Sequence, residues 1–172
     1  PHTMNDYYPN TIETITNASS NLQDALQKAG LNDIYLKPSS EYMMDGHFEK
    51  LLENREILPL HDKYVLVEMS YFQPPFNLEE ILYEINVAGY IPVLAHPERY
   101  AFYHGNYEYY NTLKMQGCKL QLNMLSLSNQ YGSGVTKTAH RLLQENKYDF
   151  IGSDIHHERH INNIEKLKLK KS

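Results

Sequence analysis

Two spacings of apolar residues take turns along the chain. Ile12, Ile15, Leu22 and Leu26 recur at helical spacing, behind Asn10 or Thr11 as a cap and ahead of Gly30 at the C′ position, which predicts a helix from Thr11 that stops before Gly30. Residues 34–41 then read as a strand interrupted by Pro38, and residues 47–54 as a short helix. The run at 64–70 is apolar and β-branched, the pattern of a buried parallel strand. An amphipathic helix over 78–88 stops at Gly89, a strand follows at 91–95, and a helix over 107–116 stops at Gly117. Strands at 119–125 and 148–153 flank a helix over 135–146, and a basic helix over 161–170 closes the series. Strict alternation with short loops argues for an α/β chain built on a parallel sheet.

The start is abrupt. Pro1-His2-Thr3, followed by polar Asn5, Asp6 and Pro9, reads as a loop after a strand that lies outside the sequence. The chain is therefore expected to be the C-terminal part of something longer, a single domain over residues 1–172.

The places where strands end carry most of the chemistry. The first visible strand ends at Glu41, the second carries Glu68, the third runs into His96, the fourth bears Asn123, and the fifth ends in Asp154-Ile155-His156. His2 occupies the matching place after the missing strand. In a parallel barrel or open α/β sheet the carboxyl ends share one face, and that face builds the active site. Asp154 and His156 are two apart and point the same way in an extended strand end. Three imidazoles and three carboxylates without a thiolate are the ligand set of Mn²⁺, Fe or Zn²⁺. Six ligands exceed one tetrahedral zinc with an open position and suit a multinuclear centre. Arg99, three residues after His96, and Arg159, three after His156, suit bidentate capture of a phosphate. The histidines at 47, 61, 104, 140, 157 and 160 are expected to face solvent, and the fifteen tyrosines to pack and to wall a cleft.

Composition narrows the classes. Sixteen Lys and Arg against twenty-one Asp and Glu leave a net charge of −5, and the basic run at 166–171 is the one basic stripe, so nucleic-acid binding is not expected. The longest apolar runs fall far short of the roughly 18–20 residues of a membrane span. The single cysteine, Cys118, excludes a disulfide framework and a thiolate zinc site. No signal-peptide pattern opens the sequence, and a cytoplasmic location is the default expectation.

With these residues in place, the sequence resembles a known family. Pro1-His2-Thr3, Ser40-Glu41-Tyr42-Met43-Met44-Asp45, Leu66-Val67-Glu68-Met69-Ser70, Pro92-Val93-Leu94-Ala95-His96-Pro97-Glu98-Arg99-Tyr100 and Gly152-Ser153-Asp154-Ile155-His156-His157 are similar to motifs of the bacterial tyrosine-protein phosphatases of capsule and exopolysaccharide loci. These form the CpsB, CapC and YwqE type within the polymerase-and-histidinol-phosphatase (PHP) superfamily. The resemblance implies a distorted (β/α)₇ TIM-like barrel with a trinuclear centre, most often manganese. It implies that His2, Glu41, Glu68, His96, Asp154 and His156 are metal ligands, that Arg99 holds substrate phosphate, and that Arg159 falls near a second such arginine, in a loop whose spacing varies. The family opens with a strand carrying a His-x-His pair, which is absent before Pro1. The barrel is therefore expected to be incomplete, with one metal position lost or weak and one side open unless another copy covers it.

The main functional expectation is metal-dependent hydrolysis of phosphotyrosine on protein, without a cysteine nucleophile. The partner the resemblance implies is the tyrosine-rich tail of a capsular tyrosine kinase. A histidinol-phosphate or other small-molecule phosphatase is the alternative with the same chemistry. An inactive metal-binding fragment is the alternative from another class.

Overall fold

The computed structural model of the chain describes residues 1–167. Six strands alternate with six helices: β1 (His2–Thr3), α1 (Ile12–Lys28), β2 (Glu41–Met43), α2 (Gly46–Glu53), β3 (Tyr64–Glu68), α3 (Leu78–Val87), β4 (Ile91–Ala95), α4 (Glu108–Met115), β5 (Lys119–Asn123), α5 (Ser133–Gln144), β6 (Phe150–Gly152) and α6 (Glu158–Glu165). The strands are hydrogen-bonded in sequence order. β1 with β2, β2 with β3 and β5 with β6 run parallel, each pair joined through a helix as a parallel connection requires. The chain divides into two units, Pro1–Met69 with Pro75–Val93, and Ser70–Pro74 with everything from Leu94 onward.

In the first unit, α1 opens on a reciprocal cap. Thr14 N donates to Thr11 Oγ1 at 3.2 Å, and Thr11 N donates to Thr14 Oγ1 at 2.9 Å. Its expected apolar stripe is only partly covered: Ile15 is buried, whereas Ile12 and Leu22 are exposed. In α3, by contrast, Leu78, Ile81, Leu82 and Ile85 are all buried, the i, i+3, i+4, i+7 set of a core-facing helix. Val65 and Val67 of β3, two apart and so on one face of the strand, are completely buried.

Three expectations need correction here. The strand read over 34–41 begins only at Glu41. Pro38 has no N–H for a ladder, and Gln23 of α1 ties the segment down instead, donating Nε2 to Ile34 O at 2.7 Å and accepting from Leu36 N at 2.9 Å. Glu41 therefore starts its strand rather than ending one. The opening residues are not all loop: His2 and Thr3 pair with Glu41 and Tyr42. The closing helix lies at Glu158–Glu165, earlier than the expected 161–170, and the rest of that range, with most of the basic run, falls outside the described residues.

In the second unit, α5 buries Val135, Thr138, Ala139 and Leu142 along one stripe. Asp149, just ahead of β6, joins the strand starts. Its carboxylate accepts from Leu120 N at 3.0 Å, Lys114 Nζ at 2.6 Å and Lys119 Nζ at 3.3 Å. Partial desolvation opposes ionisation, but these donors outweigh it and hold the carboxyl below its usual range. Its contribution to stability is fully present above the unfolded value, near 3.9, and is lost as pH falls through the folded value. Asp149→Asn is therefore expected to lower Tm at neutral pH, with the gap to the parent protein closing as pH falls below about 4. Thermal melts over a pH series read this directly.

Candidate functional site

In the first unit, strand register alone gathers three ligand-type side chains. His2 pairs with Glu41, and Glu41 pairs with Leu66, two residues before Glu68. Paired neighbours point to one face of a sheet, and so do residues two apart on a strand. His2 Nδ1 lies 2.7 Å from Glu68 Oε1 and 3.5 Å from Glu41 Oε2. One ligand atom from each of the three residues falls within 4.8 Å of the others, the one such His/Cys/Asp/Glu group among the described residues. Both glutamates are buried. The His2 ring stacks on Tyr8 at 5.5 Å, and its carbonyl accepts from Asn10 Nδ2 at 2.8 Å, so backbone and ring are both held. An imidazole and two carboxylates at this spacing fit a borderline-to-hard divalent cation; identity among Mn²⁺, Fe and Zn²⁺ is not set by the donors.

In the second unit, β4 and β6 each deliver a residue in the left-handed region: His96 at φ 37° and Asp154 at φ 49°. Non-glycine residues are uncommon there, and such strain collects at working sites. Arg99 Nη1 donates to Asp154 Oδ2 at 3.1 Å, and Asn123 Nδ2 donates to the same oxygen at 2.8 Å. The Arg99 guanidinium lies 4.8 Å from the Tyr71 ring centre and 4.2 Å from that of Tyr131. Tyr71 in turn stacks on His96 at 5.7 Å, which links the histidine to the Arg99–Asp154 pair. His156 Nδ1 is 3.3 Å from Asp154 Oδ1 and 3.0 Å from Asp154 O. Arg159 is exposed in the first turn of α6, and with desolvation and His160 it depresses the titration of His157.

Four contributors were not singled out in the sequence. Glu98, between His96 and Arg99, is wholly buried: its Oε1 accepts from Asn123 N at 3.0 Å and its Oε2 from Tyr148 OH at 2.9 Å. Burial is the largest influence on this carboxyl and pushes it above the usual carboxylate range. Tyr71 and Tyr131 were read with the other tyrosines as packing and cleft wall, with no link to Arg99. His160, expected in solvent, is buried with Nδ1 3.2 Å from Asp154 O. A signal was present for two of them: Glu98 lies between His96 and Arg99, two residues already singled out, and His160 falls four residues after His156, one helical turn on.

The model of the family "Capsular polysaccharide synthesis, CpsB/CapC" matches residues 1–166. The chain belongs to the CpsB/CapC family. It is 31% identical over 157 residues to the tyrosine-protein phosphatase YwqE of Bacillus subtilis (strain 168), covering 91% of this chain and 61% of the relative. It is 28% identical over 159 residues to the putative tyrosine-protein phosphatase CapC of Staphylococcus aureus, again covering 91% and 61%. A crystal structure from work on YwqE and on CpsB of Streptococcus pneumoniae, described there as unique metal-dependent tyrosine phosphatases, superposes with a TM-score of 0.84 at 29% identity, covering 95% of this chain and 68% of that one. The chain thus spans about three fifths of the length of the curated relatives it matches. The family expectation stands, as does the α/β architecture, with six strands in the sheet among the described residues where five were read in full from the sequence. Among the described residues no helix is long and apolar enough to cross a membrane.

Cys118 has no place in either grouping. It is buried, its Sγ donates to Lys119 O at 3.4 Å, and burial pushes its thiol up to about 12. Iodoacetamide at pH 7–8 is expected to leave it unmodified in the folded protein and to label it after denaturation, as read by mass spectrometry. For the first unit, Glu68→Gln and Glu41→Gln are each expected to weaken Mn²⁺ binding by on the order of tenfold or more, measured by isothermal titration.

Proposed function

We propose that the chain carries metal-dependent phosphatase chemistry directed at phosphotyrosine on protein. The observation that carries this reading is the His2–Glu41–Glu68 group, a hard-to-borderline donor set within 4.8 Å in a member of the CpsB/CapC family. Manganese is the favoured ion, with Fe or Zn²⁺ as alternatives, in a multinuclear arrangement. In this reading His2, Glu41 and Glu68 hold metal in the first unit. His96, Asp154 and His156 are the ligands in the second, and Arg99 and Arg159 take substrate phosphate. The sheet belongs to a distorted (β/α)₇ barrel of the PHP type. The substrate is the tyrosine-rich tail of a capsular tyrosine kinase, met in the cytoplasm.

Metal ions bound by these ligands supply Lewis-acid polarisation of the phosphoryl group and a water of lowered pKa. The protein's own part is positioning and charge. Phosphoryl transfer spreads negative charge over the equatorial oxygens, and a planar guanidinium meets two of them with parallel N–H donors. Arg99 is placed for that by Asp154 and by the two tyrosine rings. The leaving group is a phenolate, stable enough to depart with modest help, and no thiol is required. That agrees with the depth at which Cys118 lies.

The test compares phosphate release by the Mn²⁺-loaded protein from a phosphotyrosyl peptide, a phosphoseryl peptide and histidinol phosphate. Turnover of the first is expected to exceed the other two and to cease with EDTA. Arg99→Ala is expected to lower kcat/KM by on the order of 100-fold, while Cys118→Ala retains activity. Faster turnover of histidinol phosphate would move the assignment to small-molecule phosphatases. Abolition by Cys118→Ala with Arg99→Ala active would refute the mechanism.

A further inference from the structure

Arg99 is held by more than its ion pair. Its bond to Asp154 uses one of five guanidinium N–H donors, all of which lie in the guanidinium plane. The Arg99 Cζ lies over the faces of two tyrosine rings, and a guanidinium stacked on such a face keeps its N–H edges free. Stacking and bidentate phosphate binding therefore do not compete, and a ring against the face fixes the plane in which the remaining donors point.

We infer that Tyr131 is a positioning residue for Arg99 and that its ring, not its hydroxyl, sets the affinity of the second unit for a phosphoryl dianion. The ring centre is 4.2 Å from Arg99 Cζ, closer than that of Tyr71 at 4.8 Å. Tyr131 closes a 3-10 turn, Asn129–Tyr131, that stops at Gly132, whose φ of 93° lets the chain leave at once into α5. The hydroxyl touches little: Asn123 Nδ2 stands 3.5 Å from it, whereas that amide makes its short bond, 2.8 Å, to Asp154. Asn123 Oδ1 accepts from Leu125 N at 3.0 Å, which fixes which way the amide faces. Asn123 thus fixes the carboxylate that fixes one edge of Arg99, and Tyr131 fixes the plane. An arginine ordered beforehand gives up less rotamer freedom when the anion arrives.

This inference rests on the phosphatase reading for its meaning, but its test does not require turnover. Orthophosphate is titrated into the Mn²⁺-loaded protein by calorimetry, and KM and kcat for a phosphotyrosyl peptide are measured alongside. Tyr131→Leu is expected to weaken orthophosphate binding and raise KM by on the order of tenfold, the worth of a partly desolvated cation–π contact. The fall in kcat is expected to be smaller than the rise in KM. Tyr131→Phe, which keeps the ring, is expected to restore affinity to within about threefold of the parent protein. In an Arg99→Ala background, Tyr131→Leu is expected to add nothing further. Tyr131→Met fills the volume without a π face and replaces the Leu variant should that one lower Tm. Equal losses in Phe and Leu variants, or an undiminished effect without Arg99, would overturn the inference. Orthophosphate binding with this pattern but no peptide turnover would sink the phosphatase reading alone.

Discussion

Charge taken out of water must be answered inside the protein, and that demand organises both units. Glu41 and Glu68 are buried beside His2, and Glu98 is buried without any solvent contact. Each carboxylate would be costly if left alone in a low-dielectric interior. In the first unit the answer is an imidazole brought by parallel register. In the second, Asn123 N and the Tyr148 hydroxyl answer Glu98, while the Asn123 amide and the Arg99 guanidinium answer Asp154. The same arithmetic that makes these groups expensive as structure makes them suitable for cations or for a phosphate.

The division of labour follows from local geometry. Strands repeat every two residues, so register can aim His2, Glu41 and Glu68 with little help from loops. Arg99 and Asp154 come from segments that have just left a strand, where nothing periodic directs a side chain. There the chain uses a buried carboxylate, a 3-10 turn after His96 and left-handed backbone to hold position.

Much of the architecture was legible because its signals are local. Glycines at 30, 89 and 117 take positive φ just past their helices, and Asp45 caps α2 through His47 N and Phe48 N. The candidate ligands were legible because polar residues break into apolar strand runs, although His2 and Glu41 start their strands and Glu68 ends its own. What escaped was decided by tertiary partners. Residues 34–40 have strand-like composition, but Gln23, on the helix just before them, takes up the hydrogen bonds of Ile34 and Leu36. A tyrosine that packs and a tyrosine that holds an arginine have the same letter, so Tyr71 and Tyr131 could not be separated from the other thirteen. His160 reads as one more surface histidine until α6 turns it under Asp154.

The left-handed backbone at His96 and Asp154 carries a consequence for how such positions drift. Valine, isoleucine and threonine are strained there whatever the neighbouring chemistry, whereas asparagine and glycine fit without protest. Sequence drift at these two positions is therefore channelled by backbone conformation before the chemistry of the side chain is considered.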